Sequence, residues 1–426
     1  MVSAATRSHI SLSSVQTWQV WLEGSLLEQT RAATTEIAAC LTSVTPAAPA
    51  STLADLALFY GYLGHATGNP ADEETALSYL NAAIEKVGSS SLTPALIGGY
   101  SQLGWVITQL AGKLFDQQET EACQVIDEAL IEYLDELPTP ADFDLVSGLI
   151  GIGIYALARL PEPNAQVCLQ KVVQRLAERA ERGREGVTWF TDAALLPEWQ
   201  RKICPNGYYN LGLAHGVPGV IVMLARASAV EAVREAAQEL LAEAVRWLLA
   251  HLGVEDGVPF FPAWIAPEVR LGRNRVAWCY GDLGSATALL YAARCAGQAG
   301  WEEVALKILR HCAQNRGPQA GVRDAGLCHG AAGTAHLFNR IYQATREEIF
   351  REAAQFWYAR AFDFRQPGIG GAGFGAFHPK ETGPGEWVES IDMLNGAAGV
   401  GLAFLAATSN QMPLWDELLL VSLPPR

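Results

Sequence analysis

The stretch Leu327-Cys328-His329-Gly330-Ala331-Ala332-Gly333 sets a thiol and an imidazole directly before a Gly-x-x-Gly that opens an apolar run. Starting 49 residues earlier, Trp278-Cys279-Tyr280-Gly281-Asp282-Leu283-Gly284 has a cysteine in the slot of Cys328 and a tyrosine in that of His329. Ala214-His215-Gly216-Val217-Pro218-Gly219 has a histidine in the same second slot. If each motif begins one helix of a repeat, three repeats deliver these side chains to one end of the molecule. Cys279, Cys328 and His329 then make a Cys2His set, which zinc accepts at three tetrahedral corners. The fourth corner stays open, as in catalytic sites, and one such set predicts one zinc per chain. His215 is open to two readings, a fourth ligand or an acid/base beside the metal. Asp144, four residues before Gly148, lies on the approach to the same end, where a carboxylate ordinarily serves a helix start.

Such delivery requires a repeated element. Gly-x-x-Gly followed by an apolar helical stretch occurs at Gly61, Gly148, Gly216, Gly281, Gly330 and Gly396, and a seventh copy, SQLG, has Ser101 in the first position. Successive copies start between 40 and 68 residues apart. Amphipathic stretches with charged faces lie between them, such as Val230 to Leu252 and Glu302 to His311. Polar outer helices alternating with small-residue-rich inner ones predict an all-α closed ring of about seven helical hairpins, one domain over residues 1–426. Inner-helix N-termini gathered at one end make that end electropositive and lower the pKa of a cysteine placed there. Gly183 to Gly212 and Arg365 to Trp387 depart from the pattern and are expected to be long loops over one end of the ring.

The net charge of -15 and pI near 5.0 disfavour a nucleic-acid partner, whose footprint is a basic face. No apolar run is long enough to span a bilayer, and Met1 to Trp18 has no apolar core of signal-peptide length, so a cytoplasmic location without membrane insertion is expected. Eight cysteines at irregular spacing do not read as a disulfide framework; most are expected to be buried thiols. Gly368 to Gly373 formally matches G-x-G-x-x-G, but no β-branched strand precedes it and Pro379 follows in place of a helix, so it is not read as a dinucleotide site.

Taken together, WFTDAALLPEWQ, GYYNLGLAHGVPG, RVAWCYGDLG and GLCHGAAG resemble the LanC-like lanthionine synthetase cyclases, a likeness that runs over nearly the whole chain. The resemblance implies an α,α-toroid with zinc held by Cys279, Cys328 and His329, acid/base roles for Asp144 and His215, and Arg275 and Tyr280 flanking the metal. It further implies a dehydrated precursor peptide as substrate, whose cysteine thiols add to dehydroalanine or dehydrobutyrine to give lanthionine or methyllanthionine rings. A dehydratase and an exporter are the further partners it leaves open, with peripheral association to a membrane-bound biosynthetic complex.

Three other readings share features with this one. Protein prenyltransferases activate a peptide cysteine with zinc in a helical toroid, but need a basic diphosphate cluster that is missing here. Toroidal glycosidases need paired carboxylates in the cavity, and no such pair fills the motif slots. A non-catalytic scaffold that binds zinc and a thiol such as glutathione is the alternative, against which Asp144 and His215 together argue.

Overall fold

The computed structural model describes residues 18–87, 92–116, 121–138, 140–267, 269, 271–380 and 384–424. The reading of the first seventeen residues therefore lies outside the described part.

Seven inner helices form a closed ring: α2 (Ala50–Thr67), α4 (Tyr100–Leu110), α6 (Leu149–Arg159), α9 (Val217–Ala227), α11 (Asp282–Ala296), α13 (Ala331–Thr345) and α15 (Ala397–Thr408). Each packs on the next, and α15 packs on α2. Outside them stand α3 (Pro70–Val87), α5 (Glu121–Asp135), α7 (Pro163–Arg179), α10 (Arg234–Ala250), α12 (Ala299–Gln314) and α14 (Glu348–Asp363), each on the inner helix before it. The seventh outer place belongs to α1 (Gly24–Leu41), which packs on α15 and so ties the start of the ring to its end. This is the expected α,α-toroid. The inner helices are buried along nearly their whole length, while outer helices such as α7 bury one apolar stripe (Ala165, Cys168, Leu169, Val172, Val173, Leu176).

Five of the glycine motifs start inner helices as expected: Gly148, Gly216, Gly281, Gly330 and Gly396 are the residues just before α6, α9, α11, α13 and α15. The second glycine of each is fixed by a close approach. At Gly333 an added Cβ would stand 1.9 Å from the Leu327 carbonyl oxygen, and at Gly399 1.7 Å from that of Met393. The preceding loop folds back over the first helical turn, and only hydrogen leaves room for it.

Two copies differ. Gly61 and Gly64 lie inside α2; a Cβ at Gly64 would meet the Glu73 backbone nitrogen at 3.0 Å, so this pair serves helix packing rather than helix initiation. In the second repeat Gly99, not Ser101, precedes the helix, and Gln102 replaces the second glycine. Gln102 has its own task. Its Nε2 donates to Asp55 Oδ1 at 2.6 Å, and Asp55 Oδ2 accepts from the Met393 N–H at 2.9 Å, which bridges α4, α2 and the loop before α15.

The two irregular segments carry short strands. Phe190–Thr191, Tyr208–Asn210 and Trp264–Ile265 make a three-stranded antiparallel sheet, and Ala376–His378 pairs with Glu386–Val388. Between the first two strands lies the short helix α8 (Glu198–Ile203). The C-terminal segment around Leu414–Leu419 is buried and reaches several inner helices: Asp416 accepts from Arg340 of α13, Glu417 pairs with Arg226 of α9, and Leu419 O accepts from Trp278 Nε1 at 2.7 Å. It thereby occupies space that the ring encloses.

All eight cysteines are free; Cys123, Cys168, Cys204 and Cys312 are buried, whereas Cys40 and Cys295 are exposed. No helix among the described residues is long and apolar enough to cross a membrane.

Candidate metal centre and acid/base pair

The loops that precede successive inner helices are linked to one another by main-chain hydrogen bonds. Ile97 N–H donates to Val146 O, Ala214 N–H to Cys279 O, Cys279 N–H to Cys328 O and Cys328 N–H to Leu394 O. All six residues stand two positions before the glycine that starts their helix. Repeat register is thus a physical fact, and it makes Cys279 and Cys328 main-chain neighbours although 49 residues separate them. The next position in each loop brings Ser147, His215, Tyr280, His329 and Asn395 to the same end.

Ligand atoms of Cys279, Cys328 and His329 lie within 4.8 Å of one another, and no other metal-competent group of three occurs among the described residues. Cys279 Sγ is 4.0 Å from His329 Nδ1. Ligands at tetrahedral zinc are separated by roughly 3.5 to 4 Å, so small adjustments would let these three hold the ion. On its other side His329 Nε2 stands 4.0 Å from Asp324 Oδ2, the placement that orients a ligating imidazole.

The thiols behave as a pair. Hydrogen bonding from Cys328 holds Cys279 well below the ordinary thiol range against the opposing effect of burial, with His329 and Arg275 adding to it. The same contact, together with burial, pushes Cys328 up. Arg275 Nη2 donates to Cys279 Sγ at 3.3 Å, so the expected flanking arginine touches the candidate ligand directly.

His215 and Asp144 form a second cluster. His215 Nδ1 is 2.6 Å from Asp144 Oδ2, whose partner oxygen accepts from the Ser147 N–H at 2.7 Å. The Asp144 side chain is 5% exposed and that of His215 34%, which leaves the imidazole edge accessible while its anchor is dry. Burial pulls the His215 pKa down, but the hydrogen bond and charge of Asp144 outweigh it and the net direction is up. Tyr280 stacks on His215 with ring centroids 5.5 Å apart and an interplanar angle of 24°. Its hydroxyl accepts from Asn210 Nδ2 at 3.1 Å and from Gln200 Nε2 at 3.4 Å.

All seven residues singled out from the sequence are therefore at one end, in two clusters joined by the Cys279-Tyr280 peptide. Asn210, Gln200 and Asp324 were not singled out. Two of these had a readable signal: Asn210 and Asp324 stand six residues before Gly216 and Gly330, as Arg275 does before Gly281. Gln200 ends the motif WFTDAALLPEWQ, but its bond to Tyr280 depends on the fold of α8.

The cleft here has two arms. One, about 270 Å³, is lined by Asp142, Asp144, Ser147, Thr191, Gln200 and His215, among others; the other, about 370 Å³, by Ala263, Trp264, Leu271, Arg273 and Arg275. Trp199 and Tyr280 line both.

The profile of the family described as Lanthionine synthetase C-like protein matches residues 44–420. Nisin biosynthesis protein NisC of Lactococcus lactis subsp. lactis is 24% identical over 227 residues, which are 50% of this chain and 53% of that protein. The chain thus spans about half the length of this relative. The solved structure of Nisin cyclase superposes with a TM-score of 0.69 at 18% identity, covering 86% of this chain and 90% of that one, and shares the fold. Over most of its length, then, this chain belongs to the lanthionine synthetase C-like family.

Proposed function

We propose that the chain, acting as one domain, is a zinc-dependent lanthipeptide cyclase, forming thioether rings within a dehydrated peptide. The observation that carries the proposal is the pairing of a Cys2His donor set with a separate, carboxylate-anchored imidazole at the same end of the ring. A thiol-binding scaffold needs only the first; the buried Asp144 behind His215 has no role in such a scaffold.

Zinc held by Cys279, Cys328 and His329 would supply Lewis acidity at its open position, so that a substrate thiol reacts as a thiolate near neutral pH. Arg275, already against Cys279, offsets the negative charge of the thiolate cluster. Addition forms the bond from sulfur to the β-carbon and breaks the π bond of the dehydro residue, moving its electrons onto the α-carbon and the adjoining carbonyl. His215 is the group we assign to protonate the α-carbon, because Asp144 on Nδ1 favours the charged imidazole and leaves Nε2 to give up a proton. Tyr280 holds the imidazole plane from one side while its hydroxyl is fixed by Asn210 and Gln200. The thiol proton lost is matched by the proton gained at carbon, so the reaction is an isomerisation.

Intact mass does not register an isomerisation, so the test counts free thiols by alkylating a dehydrated peptide before and after incubation. Loss of alkylatable thiol with wild-type protein supports the cyclase. Full alkylation across several dehydrated peptides favours the scaffold.

A further inference from the structure

Trp199 is a large aromatic that is 50% exposed, and with Tyr280 it lines both arms of the cleft. It is also held in place from behind. Its neighbour Gln200, 4% exposed, bonds through Nε2 to the Tyr280 hydroxyl and accepts from the Tyr208 hydroxyl at 3.0 Å. Leu196, Cys204, Tyr208 and Ala266 form a small apolar cluster at the ends of this segment. The indole is thus presented to solvent on a fixed support, an arrangement suited to binding rather than to folding.

The two arms differ in chemistry. The arm on the His215 side carries two carboxylates, Asp142 and Asp144, beside Ser147 and Thr191. On the Arg275 side the wall is Trp199, Ala263, Trp264 and Leu271, and both cations there are engaged: Arg273 Nη1 with Asp282 at 2.8 Å and Arg275 with Cys279. A charged side chain entering that arm meets guanidinium groups already paired with Asp282 and Cys279, whereas an apolar one finds two indoles and a leucine.

We infer that Trp199 is a specificity-determining residue, forming with Trp264 and Leu271 a pocket for an apolar side chain that flanks the peptide's metal-seeking cysteine. The inference rests on the reading of the cleft as a peptide site, and it adds a sequence preference that the chemistry of ring formation does not require. The reacting cysteine approaches past Arg275, and its neighbour in the peptide is then the residue that meets Trp199.

The test uses the zinc-loaded full chain and two fluorescein-labelled peptides that keep serine in place of the dehydro residue and so bind without reacting. They differ only in the residues flanking the cysteine, both Leu in one and both Asp in the other, and binding is read by fluorescence anisotropy. Wild type is expected to favour the Leu peptide by about 10-fold, the scale set by burying one apolar side chain. Trp199→Ala is expected to lose that preference and Trp199→Phe to keep most of it. Leu271→Asp, which changes the same arm from a second wall residue, is expected to lose it independently should Trp199→Ala fail to fold. Equal binding of both peptides by wild type, no binding of either, or a preference left intact by these two disruptive variants overturns the inference. Thiol counting on the dehydrated forms of the same peptides tests the cyclase separately: no ring formation with the Leu preference intact removes the cyclase and leaves Trp199 a peptide-binding residue.

Discussion

His215 Nδ1 and Asp144 Oδ2 are 2.6 Å apart although 71 residues separate them in the chain. The contact ties the loop before α9 to the loop before α6 and favours the charged imidazole. Burial favours the neutral ring and Asp144 favours the charged one, and Asp144 wins. Activity that needs His215 protonated should therefore persist above the ordinary imidazole pKa of about 6.5 and fall as pH rises through the elevated value. In Asp144→Asn the largest opposition to burial is gone and only the weaker effects of Cys279 and Asp142 remain, so the alkaline limb of the pH–rate profile moves to lower pH. A limb that stays in place shows that His215 does not report on this reaction.

The carbonyl of Leu327 fixes a second expectation, because it would lie 1.9 Å from a Cβ at residue 333. Gly333→Ala must push away the loop that carries Cys328 and His329. Thermal unfolding should show a loss of about 1–3 kcal/mol, the ordinary scale for an overpacked site, and zinc should bind more weakly in the same variant. Full zinc affinity with unchanged stability contradicts the close approach.

Asp324 supports His329 without touching the metal position. Its carboxylate, 4.0 Å from His329 Nε2, accepts from the Gly326 and Phe377 N–H groups at 3.1 Å each, which fixes it in place. Asp324→Asn should lower zinc affinity by about 10- to 100-fold in chelator competition, with the protein still folded. Unaltered affinity removes Asp324 from the centre.

Asp55 bridges the start and end of the ring, and burial pushes its pKa up to about 8 in spite of its hydrogen bonds with Met393 and Gln102. The folded state thus binds this proton more tightly than the unfolded chain, whose carboxyl titrates near 3.9. The stability it contributes is complete below that pH and is lost as pH rises through about 8. Melting temperature should decline over that interval in wild type, and the decline should flatten in Asp55→Asn. An equal slope in both proteins assigns the decline to other groups.

Much of this was legible from spacing. The glycine motifs encode the loop that folds over each inner-helix start, and the residues just before them share a register enforced by main-chain bonds between loops. Cys279, Cys328, His329 and His215 could be placed together on that ground. The same pattern misled at Gly61, because a glycine pair that lets helices approach is indistinguishable in sequence from one that lets a loop fold back. It slipped at Ser101, where Gln102 replaces the second glycine and bonds to Asp55, a partner supplied by another repeat. Asn210 and Asp324 were readable by extending the register to the sixth residue before each glycine. Trp199 and Gln200 fall within the motif WFTDAALLPEWQ, but their individual places, like that of the buried C-terminal segment around Asp416, come from tertiary hydrogen bonds and packing and were not readable.

The central claim is that three side chains hold the metal and His215 stands apart as the proton donor. Zinc content of purified His215→Asn tests it most directly. The account predicts about one zinc per chain, as in wild type, with ring formation reduced by about 10²- to 10⁴-fold. Zinc lost together with the imidazole would make His215 a fourth ligand, close the site to a substrate thiol and contradict the mechanism.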